Sequence, residues 1–216
     1  METDRWPFFD LSIDTPRLTL RVPSDEHLDR LADLAAGGIH DLADMPFLTP
    51  WSDLQPFERG RSVLQWCWRC RGELTAESWK LGFAVFEGDE CVGVQDVFAE
   101  QFALRRTVTT GSWLGQRHQG KGIGKEMRAA VLHLAFAGLG AQRAETSGFT
   151  DNPRSLGVTR ALGYQECGDD LLVRRGQVAR CLRFSLEREA WKRRRRRHDI
   201  TIHGLEPCLT LLGADS

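Results

Sequence analysis

Three glycines alternate at Gly120, Gly122 and Gly124, inside the stretch GSWLGQRHQGKGIGK that runs from Gly111 to Lys125. Alternation of this kind strips side chains from neighbouring backbone positions, so several N–H groups can turn toward one anion. The segment that follows, Ile123–Leu139, carries Ile123, Met127, Ala130, Val131 and Leu134 at helical spacing. A helix starting there aims its unpaired N–H groups and its positive dipole end at the same spot. The chemistry is diphosphate binding. The pattern G-x-x-x-x-G-K-[ST] is nearly met by Gly115, Gly120 and Lys121, but Gly122 stands where the magnesium-holding hydroxyl belongs. A dinucleotide fingerprint needs G-x-G-x-x-G, and this loop reads G-x-G-x-G far from the start of the chain. A glycine-rich turn capping a core helix is the plain alternative.

A third pattern, [Q/R]-x-x-G-x-[G/A], is met by Gln119 to Gly124. It is the pyrophosphate loop of the GNAT acyltransferases, which this chain resembles. Trp113-Leu114 before the loop, Asn152 and Ser155 after it, and Leu162-Gly163-Tyr164 downstream resemble the RimJ/RimL type, as does the opening Thr15-Pro16-Arg17-Leu18-Thr19-Leu20-Arg21. The resemblance covers about Thr15 to Trp191. It implies an α+β fold: a mixed, mostly antiparallel sheet, helices on both faces, and a splayed strand pair that holds acyl-CoA. It also implies donor contacts from Trp113, Leu114 and Gly115, chiefly through backbone, and from Gln119, Gly120, Lys121, Gly122, Ile123, Gly124 and Lys125 around the pyrophosphate. Asn152 would bond the pantetheine, and it also suits a helix N-cap.

Acyl transfer needs a neutral amine, a stabilised oxyanion and a proton for the leaving thiolate. Some family members carry a glutamate on the strand before the loop, but no acid occurs from Thr107 to Gly115. Many use a tyrosine seven residues after the asparagine, and that position is Thr159, while the single tyrosine is Tyr164. The resemblance leaves Ser155 near the sulfur as the catalytic candidate. Asp96, read as the end of a strand, is a second candidate base or simply a solvated carboxylate. The irregular, proline-rich segment Gly37–Pro56 is too apolar for an idle loop. Met45, Phe47 and Trp51 are expected either to wall the acceptor pocket or to plug the core.

The implied activity is transfer of an acyl group from acetyl-CoA, or succinyl-CoA or another short acyl-CoA, to a primary amine of a protein or small molecule by direct attack in a ternary complex, with no metal. A non-catalytic acyl-CoA sensor is the second reading. The third is a nucleic-acid- or ribosome-associated protein using Arg193–Arg197. Lys+Arg 29 against Asp+Glu 30 leaves a formal net charge of −1, so no global basic surplus supports nucleic-acid binding. Neither an apolar run of membrane length nor a basic-then-apolar leader is visible, and a cytoplasmic location is expected. The six cysteines fit a reducing compartment. Cys67 and Cys70 form C-x-x-C, but deep inside an apparent helix, Pro56–Arg71, where buried apolar thiols are expected rather than a redox pair.

One domain without repeats is expected over 1–216, with 192–216 a basic segment and an apolar tail that packs on the domain or on a partner subunit, a homodimer being one option. Strands are expected at Thr15–Val22, Lys80–Phe86, Cys91–Phe98, Arg105–Leu114, Gln142–Thr150, Leu171–Arg175 and Arg180–Leu186. Ser24 should cap a helix with Leu28, Leu31, Leu34 and Ala35 inward, and a last helix is expected at Leu186–Trp191.

Overall fold

The computed structural model describes residues 5–194 and 199–215. Long runs of alternating apolar residues form its centre. Strands β1 (Ser12–Asp14), β2 (Leu18–Arg21), β3 (Ser78–Glu87), β4 (Glu90–Glu100), β5 (Thr107–Leu114), β6 (Arg143–Phe149), β7 (Gln165–Arg174), β8 (Gln177–Glu187) and β9 (Thr201–His203) build one sheet. Its order is β7-β8-β6-β5-β4-β3-β2-β1-β9. Every pairing is antiparallel except β5 with β6. Gly88, at φ +60, lets β3 turn directly into β4.

Helices α1 (Asp25–Ala36) and α2 (Pro56–Gly72) cover one face; α4 (Ile123–His133) and α5 (Pro153–Ala161) lie on the other. Two short helices, α3 (Phe102–Arg105) and α6 (Arg188–Arg193), fill corners. Ser24 caps α1 by accepting the His27 N–H, and Leu28, Leu31, Leu34 and Ala35 are its buried stripe. The larger core lies on the α4 face around Phe83, Val97, Met127, Val131 and Phe136; the smaller, on the α1–α2 face, gathers Leu31, Ala84, Phe86 and Val94.

Four elements differ from expectation. Thr15–Val22 is not one strand: Thr15–Arg17 is a turn closed by Thr15 N–H to Leu18 O at 2.8 Å and by the Leu18 N–H on Thr15 Oγ1 at 2.9 Å, with Pro16 unable to donate to a ladder. The main helix leaves α geometry after His133 and continues as a π turn over Leu134–Gly138, released by Gly140 at φ +74. Leu186 is a buried β8 residue, and the last helix starts at Arg188. β7 begins at Gln165, six residues before its apolar residues signal a strand, because β8 supplies the pairing.

The tail returns to the sheet. β9 pairs with β1, Cys208 and Leu212 are buried, and Trp79 Nε1 donates to Leu212 O at 3.0 Å. Of the arginine run, Arg194 lies on the end of α5, donating to Ala161 O at 3.0 Å; Arg195, Arg196 and Arg197 lie outside the described residues. Cys67 and Cys70 sit inside α2, where burial, with the Asp96 charge adding to it, pushes their thiols up to about 12 and about 11. That leaves them inert as redox thiols at neutral pH.

Candidate active site

β5 and β6 pair over three positions only, Thr107↔Arg143, Val108↔Ala144 and Thr109↔Glu145. Beyond them β5 runs to Leu114 and β6 to Phe149 with no further pairing between the two. A wedge therefore opens between adjacent strands. Its closed end is stitched by Thr146 Oγ1 donating to Thr110 O at 3.0 Å and by a 3.2 Å contact between the Thr110 and Tyr164 hydroxyls. On its other edge β5 stays paired with β4 as far as Gly93↔Leu114. The stretch Gly111–Leu114 thus has no partner strand on the wedge side, although Gly111 O accepts from Gln95 Nε2 at 2.7 Å and Leu114 O from Gln119 Nε2 at 3.1 Å; such an edge can take an extended ligand.

The open end of the wedge leads to the glycine loop. Gly120 and Gly122 have φ of +78 and +82, conformations that glycine adopts without steric cost. A Cβ on Gly120 would meet nothing within 4 Å, so the concavity faces open space. Gly122 is the N-cap of α4, and Lys125 and Glu126 N–H make the first bonds back to Gly122 O. The N–H groups before them have no backbone acceptor among the described residues, as at any bare helix start. Lys121 and Lys125 are exposed at the rim, while the Ile123 side chain belongs to the core. Gly115 is buried, and a Cβ there would stand 2.5 Å from Leu34 Cδ1, so its glycine serves packing.

Side chains hold this loop in place. Gln119 Nε2 donates to Ile39 O at 2.6 Å and Leu114 O at 3.1 Å, and its Oε1 accepts from Arg154 Nη1 at 2.9 Å. It is a brace between β5, the segment after α1, and α5. Glu126, buried in the first turn of α4, accepts from Thr15 Oγ1 at 2.8 Å and from Arg17 Nε at 2.9 Å. Arg17 Nη2 lies 3.7 Å from where a Gly122 Cβ would be. Arg17 and Arg154 are thus two loop cations that the sequence reading passed over. The first hides in a motif read as a strand, the second in the helix turn after Asn152.

Asp96 is not at a strand end. It sits in the middle of β4, opposite Gly82 of β3 and Gly111 of β5, on the α2 face. A Cβ on Gly82 would stand 3.0 Å from Asp96 Oδ1, and one on Gly111 4.0 Å from Oδ2, so the two glycines make room for the carboxylate. Burial pushes it up to about 7. Asp96 therefore lies two positions past the last β5–β6 rung, beside the wedge.

On the opposite face of β5, Arg128 of α4 is 4% exposed and has no carboxylate partner among the described residues. Its Nη1 donates to Thr159 Oγ1 and its Nη2 to Ser112 Oγ, both at 3.0 Å, while Nε has no partner among the described residues. Asn152 caps α5 by accepting the Ser155 N–H at 3.1 Å. Ser155 Oγ lies 3.8 Å from where a Cβ on Gly148 of β6 would stand, so Ser155 faces the β6 side of the wedge. Tyr164 is buried, consistent with packing.

The segment between α1 and α2 reaches the other end of β5. Phe47, Trp51 and Trp113 form a chain of rings with centroids 5.1 and 5.8 Å apart, all partly exposed. Met45 is buried, which removes it from an open wall. Arg59 fixes the segment by donating to Ala35 O, Ala36 O and Ser52 O at 2.7, 2.8 and 3.0 Å. The β7–β8 turn clasps it from outside: Arg174 donates to Met45 O and pairs with Asp151, and Arg175 Nε meets Asp53 Oδ2 at 2.8 Å. That hydrogen bond holds the Asp53 carboxyl below its usual range. A separate cavity of about 650 Å³ lies behind Gly115, against the end of α1 and the β3–β4 turn; it contains none of these rings.

Residues 17–165 match the family described as acetyltransferase (GNAT) domain. Solved structures with the same fold include the ribosomal-protein-S5-alanine acetyltransferase from Vibrio fischeri, 18% identical with a TM-score of 0.65 over 83% of this chain and 98% of that one. A RimL ribosomal L7/L12 α-N-protein acetyltransferase in complex with coenzyme A is 19% identical, with a TM-score of 0.62 over 82% and 97%. Spermidine/spermine N-acetyltransferase SpeG from Vibrio cholerae, in mutant forms, is 17% identical, with a TM-score of 0.63 over 82% and 98%.

Proposed function

Because the chain belongs to the GNAT acetyltransferase family, we propose that it transfers an acetyl or other short acyl group from coenzyme A to a primary amine by direct attack in a ternary complex. The observation that carries this reading is the wedge itself: beside it, on the α1–α2 face of the sheet, lie Asp96 of β4 and the ring chain that ends on Trp113 of β5, and the open end leads to the glycine loop. The diphosphate would lie on the N–H groups of Gly120, Lys121, Gly122, Ile123 and Gly124, with Lys121, Lys125, Arg17 and Arg154 around it and Gln119 bracing the loop. The pantetheine would run along β5 and just past it, at Trp113, Leu114 and Gly115, on the edge that β6 leaves uncovered, and reach Asn152 across the wedge.

The thioester then ends beside Gly111, between Asp96 on one face and Ser112 on the other. An amine enters along Phe47, Trp51 and Trp113, a wall suited to an acceptor whose amine is carried next to an apolar group, on a protein terminus, a lysine or a small molecule. Asp96 takes the proton that the nitrogen must lose, and a carboxyl near 7 is matched to that task at neutral pH. Ser155, which the resemblance places near the sulfur, approaches from the β6 side.

Release of free CoA, followed across acetyl- and succinyl-CoA with a panel of small amines and peptide N-termini, tests the reading. Turnover with at least one amine is expected, with the rate rising as pH passes through about 7. Binding of acyl-CoA with no amine-dependent release under any condition would overturn it.

A further inference from the structure

A buried arginine without an anion is costly, since desolvation disfavours its charge and nothing returns the loss. Arg128 is in that position: it is buried, it contacts two neutral hydroxyls, and its Nε is unsatisfied. The two hydroxyls differ. Thr159 is buried, whereas Ser112 is partly exposed on β5, three positions past the last β5–β6 rung.

Arginine has donors only. Ser112 Oγ, in accepting from Nη2, must therefore turn its own proton elsewhere, and the guanidinium charge behind it makes that proton a stronger donor. Ser112 is partly exposed on the stretch of β5 that β6 leaves unpaired, which gives that proton access to the wedge.

We infer that Ser112, polarised by Arg128, is the hydrogen-bond donor to the departing CoA sulfur. This rests on the acyl-CoA reading of the wedge given above. The amine nitrogen attacks the thioester carbon, forming the C–N bond and placing a negative charge on the carbonyl oxygen. Collapse of that intermediate breaks the C–S bond, and the sulfur leaves with the electron pair as a thiolate. Ser112 keeps its proton and donates a hydrogen bond to that thiolate, with the Arg128 charge one contact away. The proton that the nitrogen gave up finally neutralises the sulfur, so one amine proton becomes the thiol proton of CoA. Arg128 is the positioning residue, and Thr159, where many relatives by resemblance have tyrosine, anchors its other nitrogen.

The test titrates the thiol of CoA bound to the whole protein by its ultraviolet thiolate absorbance. The bound thiol should be about tenfold or more acidic than that of free CoA, as expected for an anion beside a fixed cation. Ser112→Ala should return it most of the way to the free value and lower kcat about ten- to a hundredfold, with the KM for acyl-CoA changed less than threefold. Arg128→Lys should keep part of the effect and Arg128→Met none, with the melting temperature of each recorded. If Arg128→Met does not fold, Ser112→Ala decides alone. A bound thiol no more acidic than free CoA overturns the inference. So does a Ser112→Ala enzyme with wild-type kcat and bound-thiol acidity. Failure of CoA to bind at all would instead strike the acyl-CoA reading beneath it.

Discussion

The glycine loop and the closed end of the wedge are built on opposite principles. At the loop the polar groups that serve the protein itself are matched: Glu126 with Arg17 and Thr15, Gln119 with three partners. What remains unmatched there is backbone N–H facing open space. At the closed end the unmatched groups are side-chain charges, Asp96 of β4 on one face of the sheet and Arg128 of α4 against the other. Among the described residues neither charge is paired with an opposite one, and burial works against both. On the proposed reading, binding would be written in the main chain at little cost to the fold, and reactivity in ionisable groups that the fold would be more stable without.

Gly122→Asp should break the first half of that contrast most severely. Like charges about 4 Å apart near a surface repel by about 4 kcal/mol, about a thousandfold in affinity. Aspartate tolerates the left-handed backbone found there, so the fold should survive. Titration calorimetry against CoA checks it, and unchanged affinity would remove the loop from the diphosphate site.

Asp96→Asn addresses the second half and should separate activity from stability. General-base catalysis contributes about 10²- to 10⁴-fold, and kcat should fall by that order with the limb through about 7 lost from the pH–rate profile. Stability should move the other way. The folded protein holds this proton more tightly than the unfolded chain does, because its pKa is raised. Wild-type stability is therefore full below the ordinary carboxylate range and declines as pH rises toward about 7. The variant should melt higher than wild type at pH 8 and show a smaller difference at pH 4. A lower melting temperature at pH 8 would mean that Asp96 is a structural acid.

Trp51→Ala sharpens the boundary between the two substrates. As a partly exposed wall, Trp51 should cost about 1–2 kcal/mol of stability, against about 3–5 for a core aromatic, and raise the acceptor KM about tenfold with acyl-CoA affinity unchanged. A large fall in melting temperature with normal acceptor kinetics would return it to the core. Smallest of all, Ser155→Ala should lower kcat about threefold, since among the described residues no cation is bonded to its hydroxyl. A loss as deep as that of Ser112→Ala would place the sulfur on the β6 side of the wedge.

The loop and the fold class were legible because both depend on short-range rules: glycine spacing, a capped helix start, alternating strands. Ser24 and Asn152 declared their helices by the same means. Met45, Phe47 and Trp51 could be grouped by segment, but only packing separates the buried Met45 from the two partly exposed rings. Asp96 was visible as an acid and misplaced, because the register that sets it between Gly82 and Gly111 is a property of three strands. Arg128 lay inside a helical stripe and Ser112 inside a strand, and neither has a local signal. Their contact joins residues 16 positions apart in sequence, and only the crossing of α4 over β5 creates it.

The segment proposed as the acceptor wall hangs from the molecule by side chains rather than by a ladder. Phe47 and Trp51 sit on a stretch with little regular structure, fastened by Arg59 from within and by Arg174 and Arg175 from the β7–β8 turn. Changing such a stretch leaves every strand register and the glycine loop as they are. On the proposed reading, evolution could therefore revise what this scaffold acylates without renegotiating how it grips its donor. An engineer has the same freedom: residues 41–54 are the natural cassette for grafting a new acceptor preference, provided the grafted piece still offers carbonyls to Arg59 and Arg174 and a carboxylate to Arg175.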